Sequence, residues 1–177
     1  MERLIQVENI VKSFRDKKQQ VVAVDHVSLH LDEGEILGII GESGSGKSTV
    51  LRLLSGIMKT DEGAVMLFDK PLDTNDRSRF RDLQMIFQDA RLFPWLKIKD
   101  NVAIGLKNIS SEEKNRIVLE YLELVGLKGV ENSYPDQLSG GMAQRASIAR
   151  GLALNSQIML FDEPFSALDA MTKVQLQ

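Results

Sequence analysis

The stretch Ile36–Leu54, ILGIIGESGSGKSTVLRLL, joins an apolar run to a glycine-rich loop and then to a helical pattern. Its first five residues, Ile36–Ile40, form a continuous apolar run, which is typical of a strand buried on both faces in a parallel sheet. Beyond the loop, apolar residues recur at helical spacing, namely Val50, Leu51, Leu53, Leu54 and Ile57. The order strand, loop, helix predicts an α/β fold built around this loop.

The loop GESGSGKS, from Gly41 to Ser48, has the spacing Gly, four residues, Gly, Lys, Ser. Glycines at these places let backbone N–H groups curl around phosphate oxygens at the start of a helix. We expect Lys47 to bridge terminal phosphates and Ser48 to hold Mg²⁺; a glycine-rich turn with an accidental lysine is the alternative. The predicted phosphate-binding residues are Gly41, Ser43, Gly44, Ser45, Gly46, Lys47, Ser48 and Thr49.

A second apolar run, Ile158–Phe161, leads directly into Asp162 and Glu163. Side chains of successive strand residues point to opposite faces, so the two carboxylates can take different tasks. We expect Asp162 to orient Mg²⁺ through its water shell and Glu163 to polarise the attacking water as general base, the tasks that phosphoryl transfer to water requires. Two solvated acids at a strand end are the alternative.

Other stretches of the sequence predict further secondary-structure elements. The stretch Val27–Leu31, VSLHL, alternates apolar and polar residues and predicts a strand in an antiparallel flank. Ser110 and Glu113 have capping-box spacing before an apolar helical face that ends near Gly126. We therefore expect a single domain over residues 1–177, with a helical subdomain at 93–137 inserted between sheet strands.

Composition limits the classes of function. The chain has 177 residues, a net charge of −3 and no cysteine, so disulfides and thiolate chemistry are excluded and general attraction to nucleic acid is disfavoured. The amino terminus MERLIQVENI has no signal-peptide pattern, and the apolar runs are too short to span a bilayer. We expect a cytoplasmic protein whose membrane association comes through a partner.

A second glycine pair lies in LSGGMAQR, which begins at Leu138. Ser139, Gly140 and Gly141 offer a hydroxyl and N–H groups at a helix start, the arrangement that caps helices and also binds phosphate. The residues alone leave both interpretations open.

Taken together with the loop at Gly41 and with DEPFSALD from Asp162, LSGGMAQR resembles the signature sequence of the ABC transporter ATP-binding subunits, over essentially the whole chain. This resemblance implies an α/β P-loop NTPase fold with a mixed sheet, an antiparallel β flank and an inserted helical subdomain. It implies ATP and Mg²⁺ as cofactors and a head-to-tail pair of cassettes. In such a pair Ser139–Gly141 would bind the γ-phosphate held by the other subunit, and Asp169 would signal across the dimer.

The resemblance also assigns roles to two residues outside these motifs. Gln88 in MIFQD is similar to the Q-loop glutamine, a catalytic Mg²⁺ ligand that senses the membrane partner, and Phe14 in KSF matches the aromatic that stacks on adenine. Without the resemblance, Gln88 would be interpreted as a polar residue of a turn. Phe14 could then equally well be a residue of the hydrophobic core. With Lys47 and Glu163, Gln88 completes the expected catalytic set.

Two departures from the family pattern qualify the resemblance. Met142 stands where glutamine is common; with LFPWLKIKDNVAIGL, from Leu92, it resembles the importer branch for nitrate, taurine and alkanesulfonates. The only histidines, His26 and His30, precede the loop at Gly41, so neither matches the family's switch histidine. We therefore expect a chain truncated at its carboxyl end, which turns over ATP poorly.

The sequence thus predicts the ATP-hydrolysing subunit of an importer at the cytoplasmic face of the membrane. The implied partners are integral membrane permease subunits, a second cassette and, indirectly, a solute-binding protein, with no nucleic acid. The apolar and aromatic residues of the 88–106 segment could face a permease helix, and the core of the subdomain is the alternative place for them. A truncated non-catalytic nucleotide-binding fragment and a non-transport ABC ATPase are the alternatives. A small-molecule P-loop kinase would share the first loop but would not need LSGG or SALD.

Overall fold

A computed structural model describes residues 2–16, 19–73 and 82–164. The chain divides into two compact units, an amino-terminal unit of residues 1–81 and a carboxy-terminal unit of residues 82–177. Asp169 lies outside the described residues. None of the helices in the described ranges is long and apolar enough to cross a membrane.

An antiparallel sheet organises the amino-terminal unit. Its strands are β1 (Arg3–Asp16), β2 (Gln19–Asp32), β3 (Glu62–Leu67) and β4 (Lys70–Pro71). They lie in the order β2-β1-β3-β4, and every neighbouring pair is antiparallel. Within β2 the apolar residues of VSLHL are partly covered, whereas Ser28 and His30 are exposed. The predicted antiparallel flank is therefore confirmed.

Helix α1 (Lys47–Leu54) follows the glycine-rich loop, as predicted, and buries Val50, Leu53 and Leu54. The predicted inclusion of Ile57 in its apolar face is wrong. The helix ends at Leu54 with Ser55 as its C-cap, and Gly56 takes a left-handed backbone conformation, so Ile57 leaves the helical path and is exposed.

The prediction that Ile36–Ile40 forms a buried strand is also wrong. These residues belong to neither sheet of the described chain, and Ile36 and Ile40 are 97% and 96% exposed. A continuous apolar run becomes a buried strand only when neighbouring strands pair with it and other elements cover both its faces. The sequence of the run carries no information about those neighbours.

A parallel strand pair lies in the carboxy-terminal unit. Strands β5 (Leu83–Ile86) and β6 (Ile158–Phe161) run parallel, with Ile86 opposite Phe161. The parallel pairing predicted for the second apolar run is confirmed. With the antiparallel sheet of the other unit, it gives the α/β class that the sequence predicts.

The described part of this unit also contains the helices α2 (Ile98–Ala103), α3 (Ser111–Leu124), a short 3-10 turn (Pro135–Gln137) and α4 (Gly140–Ala153). Helix α4 packs against β5, and α2 and α3 pack against α4. The Ser110 side chain caps α3 by accepting the Glu113 N–H, as predicted, over 3.1 Å. The core combines fully buried residues of α2, α3 and α4, among them Ile98, Leu122 and Ala149. The subdomain at 93–137 stays a prediction, because this core also includes α4.

Candidate active site

The glycine-rich loop of the amino-terminal unit folds back on its own start. The Lys47 ammonium donates hydrogen bonds to the backbone oxygens of Gly41 and Glu42, over 2.9 and 2.8 Å. Gly46 has φ +94°, and a Cβ there would collide with the Ala23 carbonyl oxygen, so only glycine fits. The Lys47 ammonium thus closes the loop onto its own first residues, and we call Gly41–Lys47 the closed turn.

The other predicted phosphate-binding residues lie along this turn and the first turn of α1. Ser43, Gly44 and Ser45 are exposed, while Ser48 and Thr49 are half-buried in the helix. The backbone N–H groups of a first helical turn have no partner within the helix, which makes this start a suitable place for an anion.

Phe14 lies on β1 opposite Val21 of β2, near the hairpin end, and its ring is 41% exposed. The neighbouring backbone is held by Asp61, whose carboxylate accepts the Ser13 N–H over 2.7 Å and the Lys12 ammonium over 2.6 Å. The Lys12 ammonium, with the Ser13 N–H, holds the pKa of Asp61 below its ordinary value. The exposed ring excludes the interpretation of Phe14 as a core residue.

In the carboxy-terminal unit the structure brings Gln88 and Glu163 together. Each lies two residues beyond the end of its strand, Gln88 after β5 and Glu163 after β6. Because parallel strands present their carboxyl ends at the same edge, the side chains meet, and Gln88 Nε2 donates to Glu163 Oε2 over 3.3 Å.

Asp162 and Glu163 differ in environment. Asp162 is buried, with its backbone N–H donating to the Ile86 oxygen over 2.9 Å, which extends the strand pairing by one bond. Glu163 is exposed and has φ +47°, a left-handed conformation uncommon for a residue with a side chain. The backbone thus turns sharply at Glu163.

The second glycine pair opens α4. The Ser139 hydroxyl is the N-cap and accepts the Met142 N–H over 3.3 Å, and Gly140 and Gly141 are the first two helical residues. Ser139 and Gly140 are exposed. The Met142 side chain packs against the core of the unit with Leu138, so an apolar contact stands where a glutamine would place an amide.

Sequence reasoning missed two polar residues of α4 that hold the loop after β5. Gln144, 1% exposed, donates from Nε2 to the Phe87 oxygen over 2.8 Å. Arg150 donates to the oxygens of Ala90 and Arg91 over 3.0 and 2.9 Å, and burial lowers the pKa of its guanidinium. They recur with Ser147 every three residues along α4, but this spacing alone does not distinguish a buried polar face from a solvated one.

A third missed residue is Asn101 of α2, which is fully buried. Its Oδ1 accepts the Phe93 N–H over 2.7 Å, and its Nδ2 donates to the oxygens of Phe93, Leu96 and Lys97 over 3.0–3.2 Å. One side chain thus shapes the segment that carries Trp95, which is 71% exposed and packs its ring 5.5 Å from that of Phe93.

The described residues contain no cluster of three or more His, Asp or Glu side chains that could hold a metal ion. The predicted ligands are of another kind: the Ser48 hydroxyl, the Gln88 amide oxygen and the Asp162 carboxylate. All three offer oxygen, the donor that Mg²⁺ prefers, and Mg²⁺ needs few protein ligands. The amide nitrogen of Gln88 donates to Glu163, which leaves its amide oxygen suited to a cation.

Comparison with known proteins identifies the family. The family model described as ABC transporter matches residues 24–166, well over half of the chain. The chain belongs to the ABC transporter family. The resemblance of its two glycine motifs is thereby confirmed.

Relatives within the family are named for the import of different solutes. The chain is 41% identical over 170 residues to the nitrate import ATP-binding protein NrtD of Synechococcus elongatus, covering 94% of this chain and 61% of that protein. It is 43% identical over 175 residues to the methionine import ATP-binding protein MetN of Geobacillus kaustophilus, covering 96% of this chain and 51% of that protein. The chain thus spans about half to two thirds of the length of these relatives.

Among solved structures, an ATP-binding cassette in a dimeric, post-hydrolysis state bound to ADP and Pi is similar to this chain. The TM-score is 0.91 and the identity 34%, covering 98% of this chain and 79% of that one. The fold class predicted from the sequence, a P-loop NTPase cassette, is confirmed.

Proposed function

We propose that this chain is the ATP-binding and ATP-hydrolysing subunit of an ABC importer, which drives a small solute through a membrane permease. The observation that supports hydrolysis, beyond nucleotide binding alone, is the contact between Gln88 and Glu163 at the carboxyl ends of β5 and β6. It joins an exposed carboxylate to an amide that can also ligate a cation.

Nucleotide binding rests on the closed turn at Gly41–Lys47. A helix start contributes only about 0.3–2 kcal/mol to anion binding, whereas micromolar affinity needs roughly 8 kcal/mol. Several backbone amides, the Lys47 ammonium and Mg²⁺ would therefore act together on the phosphates. The exposed ring of Phe14 would stack on the adenine, since aromatic faces attract flat bases.

Ser48, Gln88 and Asp162 would hold Mg²⁺, Asp162 through water. When bound, the ion would neutralise negative charge on the phosphates during transfer. Glu163 would accept a proton from the attacking water, and the Gln88 N–H would keep the carboxylate in a fixed orientation. The exposure of Glu163 gives water access to that carboxylate.

We also propose that a second copy completes the site, with Ser139–Gly141 binding the γ-phosphate held by the partner. The Ser139 hydroxyl accepts the Met142 N–H and therefore keeps its own proton for donation to a phosphate oxygen. The similar cassette solved as a dimer supports this pairing.

The transported solute is proposed to be nitrate, taurine or an alkanesulfonate. This proposal rests on Met142 and the segment that begins at Leu92, because the identity to relatives named for other solutes is as high as that to the nitrate import protein. Permease subunits would contact residues 88–106, where Trp95 is exposed, at the cytoplasmic face of the membrane. A solute-binding protein would act indirectly, and nucleic acid takes no part. The whole chain would form one cassette.

Glu163→Gln tests the proposal. The variant keeps the size of the side chain and loses the base, so ATP turnover should fall at least about 100-fold while ATP binding persists and the protein accumulates as an ATP-bound dimer. Turnover assays and sedimentation with ATP measure both effects. Glu112→Gln, at an exposed position of α3, is the control. Normal turnover in Glu163→Gln would overturn the proposed role, and a variant that stays monomeric with ATP would overturn the shared site.

A further inference from the structure

We propose that Gln144 and Arg150 of α4 are positioning residues for Gln88, acting through backbone carbonyls of the loop that carries it. We call residues 87–91 the Gln88 loop. The inference rests on the proposed role of Gln88 and adds two residues that act on it without touching nucleotide or metal.

Gln144 holds the start of the Gln88 loop. Its Nε2 donates to the Phe87 oxygen over 2.8 Å, in a side chain that is almost fully buried. A buried amide that lost this acceptor would remain unsatisfied, so the contact strongly favours one position of the Phe87 carbonyl. That carbonyl belongs to the peptide unit that leads into Gln88.

Arg150 holds the end of the same loop. Its Nη1 and Nη2 donate to the oxygens of Arg91 and Ala90, and Nη2 also donates to the Ser147 hydroxyl over 3.3 Å. A guanidinium is planar and presents its donors in a rigid fork, so two successive carbonyls are fixed relative to each other. No carboxylate of the described residues pairs with this guanidinium within 4.0 Å, and the oxygens to which it donates are neutral.

Gly151 lets α4 lie close to the end of β5. A Cβ at this position would lie 2.5 Å from Ile86 Cδ1, so the end of the Ile86 side chain would have to shift to admit a larger residue. Gln144, Ser147 and Arg150 recur every three residues on the same face. That face therefore meets the chain just before and along the Gln88 loop.

The loop has its own internal constraint. Arg91 has φ +45°, and its guanidinium lies 3.7 Å from the centroid of the Phe87 ring, a cation–π contact between the two ends of the loop. With both ends tethered to α4, the path of the backbone between them sets where the Gln88 amide lies relative to Glu163. Because α4 begins next to Ser139, one helix carries both the signature residues and the groups that hold this loop.

Two variants and a matched control test the inference. Gln144→Glu replaces the donor to Phe87 with an oxygen, and Arg150→Lys keeps the charge but loses the fork. Arg145→Lys is the control: Arg145 lies on the same helix and donates to backbone oxygens, but to those of Val125 and Gly126. Where Gln144→Glu fails to fold by circular dichroism, Gln144→Met replaces it.

Two readouts are compared in the purified protein. Hydrogen–deuterium exchange of the amides at 87–91 should speed up in both variants and not in the control. The Mg²⁺ concentration for half-maximal ATP turnover should rise roughly 10-fold, as is typical when a group that orients a metal ligand is lost, while ATP binding in EDTA stays unchanged. Unchanged exchange at 87–91, or equal changes in Arg145→Lys, would overturn the inference.

Gln88→Ala separates this inference from the function on which it rests. If Gln88→Ala shifts the Mg²⁺ dependence and the two α4 variants do not, the positioning role is wrong and the role of Gln88 stands. If Gln88→Ala itself leaves the Mg²⁺ dependence unchanged, the proposed role of Gln88 is wrong, and the positioning role is wrong with it.

Discussion

The Ser139 hydroxyl accepts the backbone N–H of Met142 over 3.3 Å, and this bond fixes the first turn of α4. The same bond occurs at the start of α3, where the Ser110 hydroxyl accepts the Glu113 N–H over 3.1 Å. The described residues therefore include two serine-capped helices of 14 residues each. Of the two capping serines, only Ser139 is proposed to contact a phosphate.

We expect Ser139→Ala and Ser110→Ala to cost the same stability and to differ in function. Each loses one cap, so the free energy of unfolding should fall by about 1 kcal/mol in both. Only Ser139→Ala should weaken ATP-dependent dimerisation and slow ATP turnover, because only Ser139 would donate to the partner's nucleotide. Denaturant unfolding, sedimentation and turnover assays measure these effects. Equal turnover in the two variants would show that Ser139 is a helix cap and nothing more.

Gly46→Ala should abolish the closed turn at the first phosphate loop. A Cβ at Gly46 meets the Ala23 carbonyl, and the left-handed backbone costs a residue with a side chain at least about 1 kcal/mol. ATP binding, measured by calorimetry, should be lost along with some thermal stability.

Gly38→Ala is the matched control for this substitution. Among the described residues, no atom beyond the chain neighbours lies within 4 Å of a Cβ placed at Gly38, so ATP binding should stay normal in this variant. If Gly46→Ala binds ATP as tightly as Gly38→Ala does, the closed turn is not the nucleotide site.

Local signals predict the elements that depend on few neighbours. The α3 helix follows from its cap at Ser110 and its apolar face, both contained in one short stretch. The end of α1 depends on the single residue Gly56, whereas the helical spacing of the apolar residues continues past it to Ile57. Burial of Ile36–Ile40 depends on which strands lie beside it, and no periodicity within the run encodes them.

The same distinction applies to the candidate site. The phosphate loop is contiguous in sequence, whereas the meeting of Gln88 with Glu163 depends on the parallel pairing of β5 with β6, which no local pattern predicts. Asn101, Gln144 and Arg150 could not be recognised in this way, because a polar residue in a helix usually faces solvent. Only the tertiary fold buries Asn101 and Gln144, partly buries Arg150, and directs their donors at backbone carbonyls.

The pH dependence of stability should include a contribution from Asp61. The Lys12 ammonium and the Ser13 N–H lower the pKa of its carboxyl from the model-compound value of 3.8. Because the pKa in the folded state is below that in the unfolded state, the stabilisation is fully present above pH 3.8 and is lost as the pH falls through the folded pKa. Asp61→Asn should therefore lose less stability on acidification than the wild type.

Urea unfolding as a function of pH, between about pH 2 and pH 6, checks this expectation. Asp69→Asn, at an exposed acid in the turn between β3 and β4, is the control and should follow the wild-type profile. If Asp61→Asn follows that profile too, the ion pair with Lys12 contributes nothing to the folded state.

Asn101→Ala should loosen the segment that carries Trp95. The Asn101 side chain makes four hydrogen bonds to backbone groups of Phe93, Leu96 and Lys97, and its removal leaves buried groups unsatisfied. The free energy of unfolding should fall by about 2–4 kcal/mol. Trp95 is the chain's only tryptophan, so its fluorescence anisotropy reports on this segment directly and should fall. Asn115→Ala, at an exposed position of α3, should change neither quantity.

The conservative variant Asn101→Asp distinguishes the contribution of the amide oxygen from that of the amide nitrogen. It keeps the oxygen that accepts the Phe93 N–H and replaces the donor to three carbonyls with a second oxygen. Because that oxygen would face carbonyl oxygens in a buried place, we expect a loss at least as large as in Asn101→Ala, and one that shrinks at low pH, where a protonated carboxyl can donate. A stability of Asn101→Asp equal to that of the wild type at neutral pH would mean that the three donated bonds do not hold the segment.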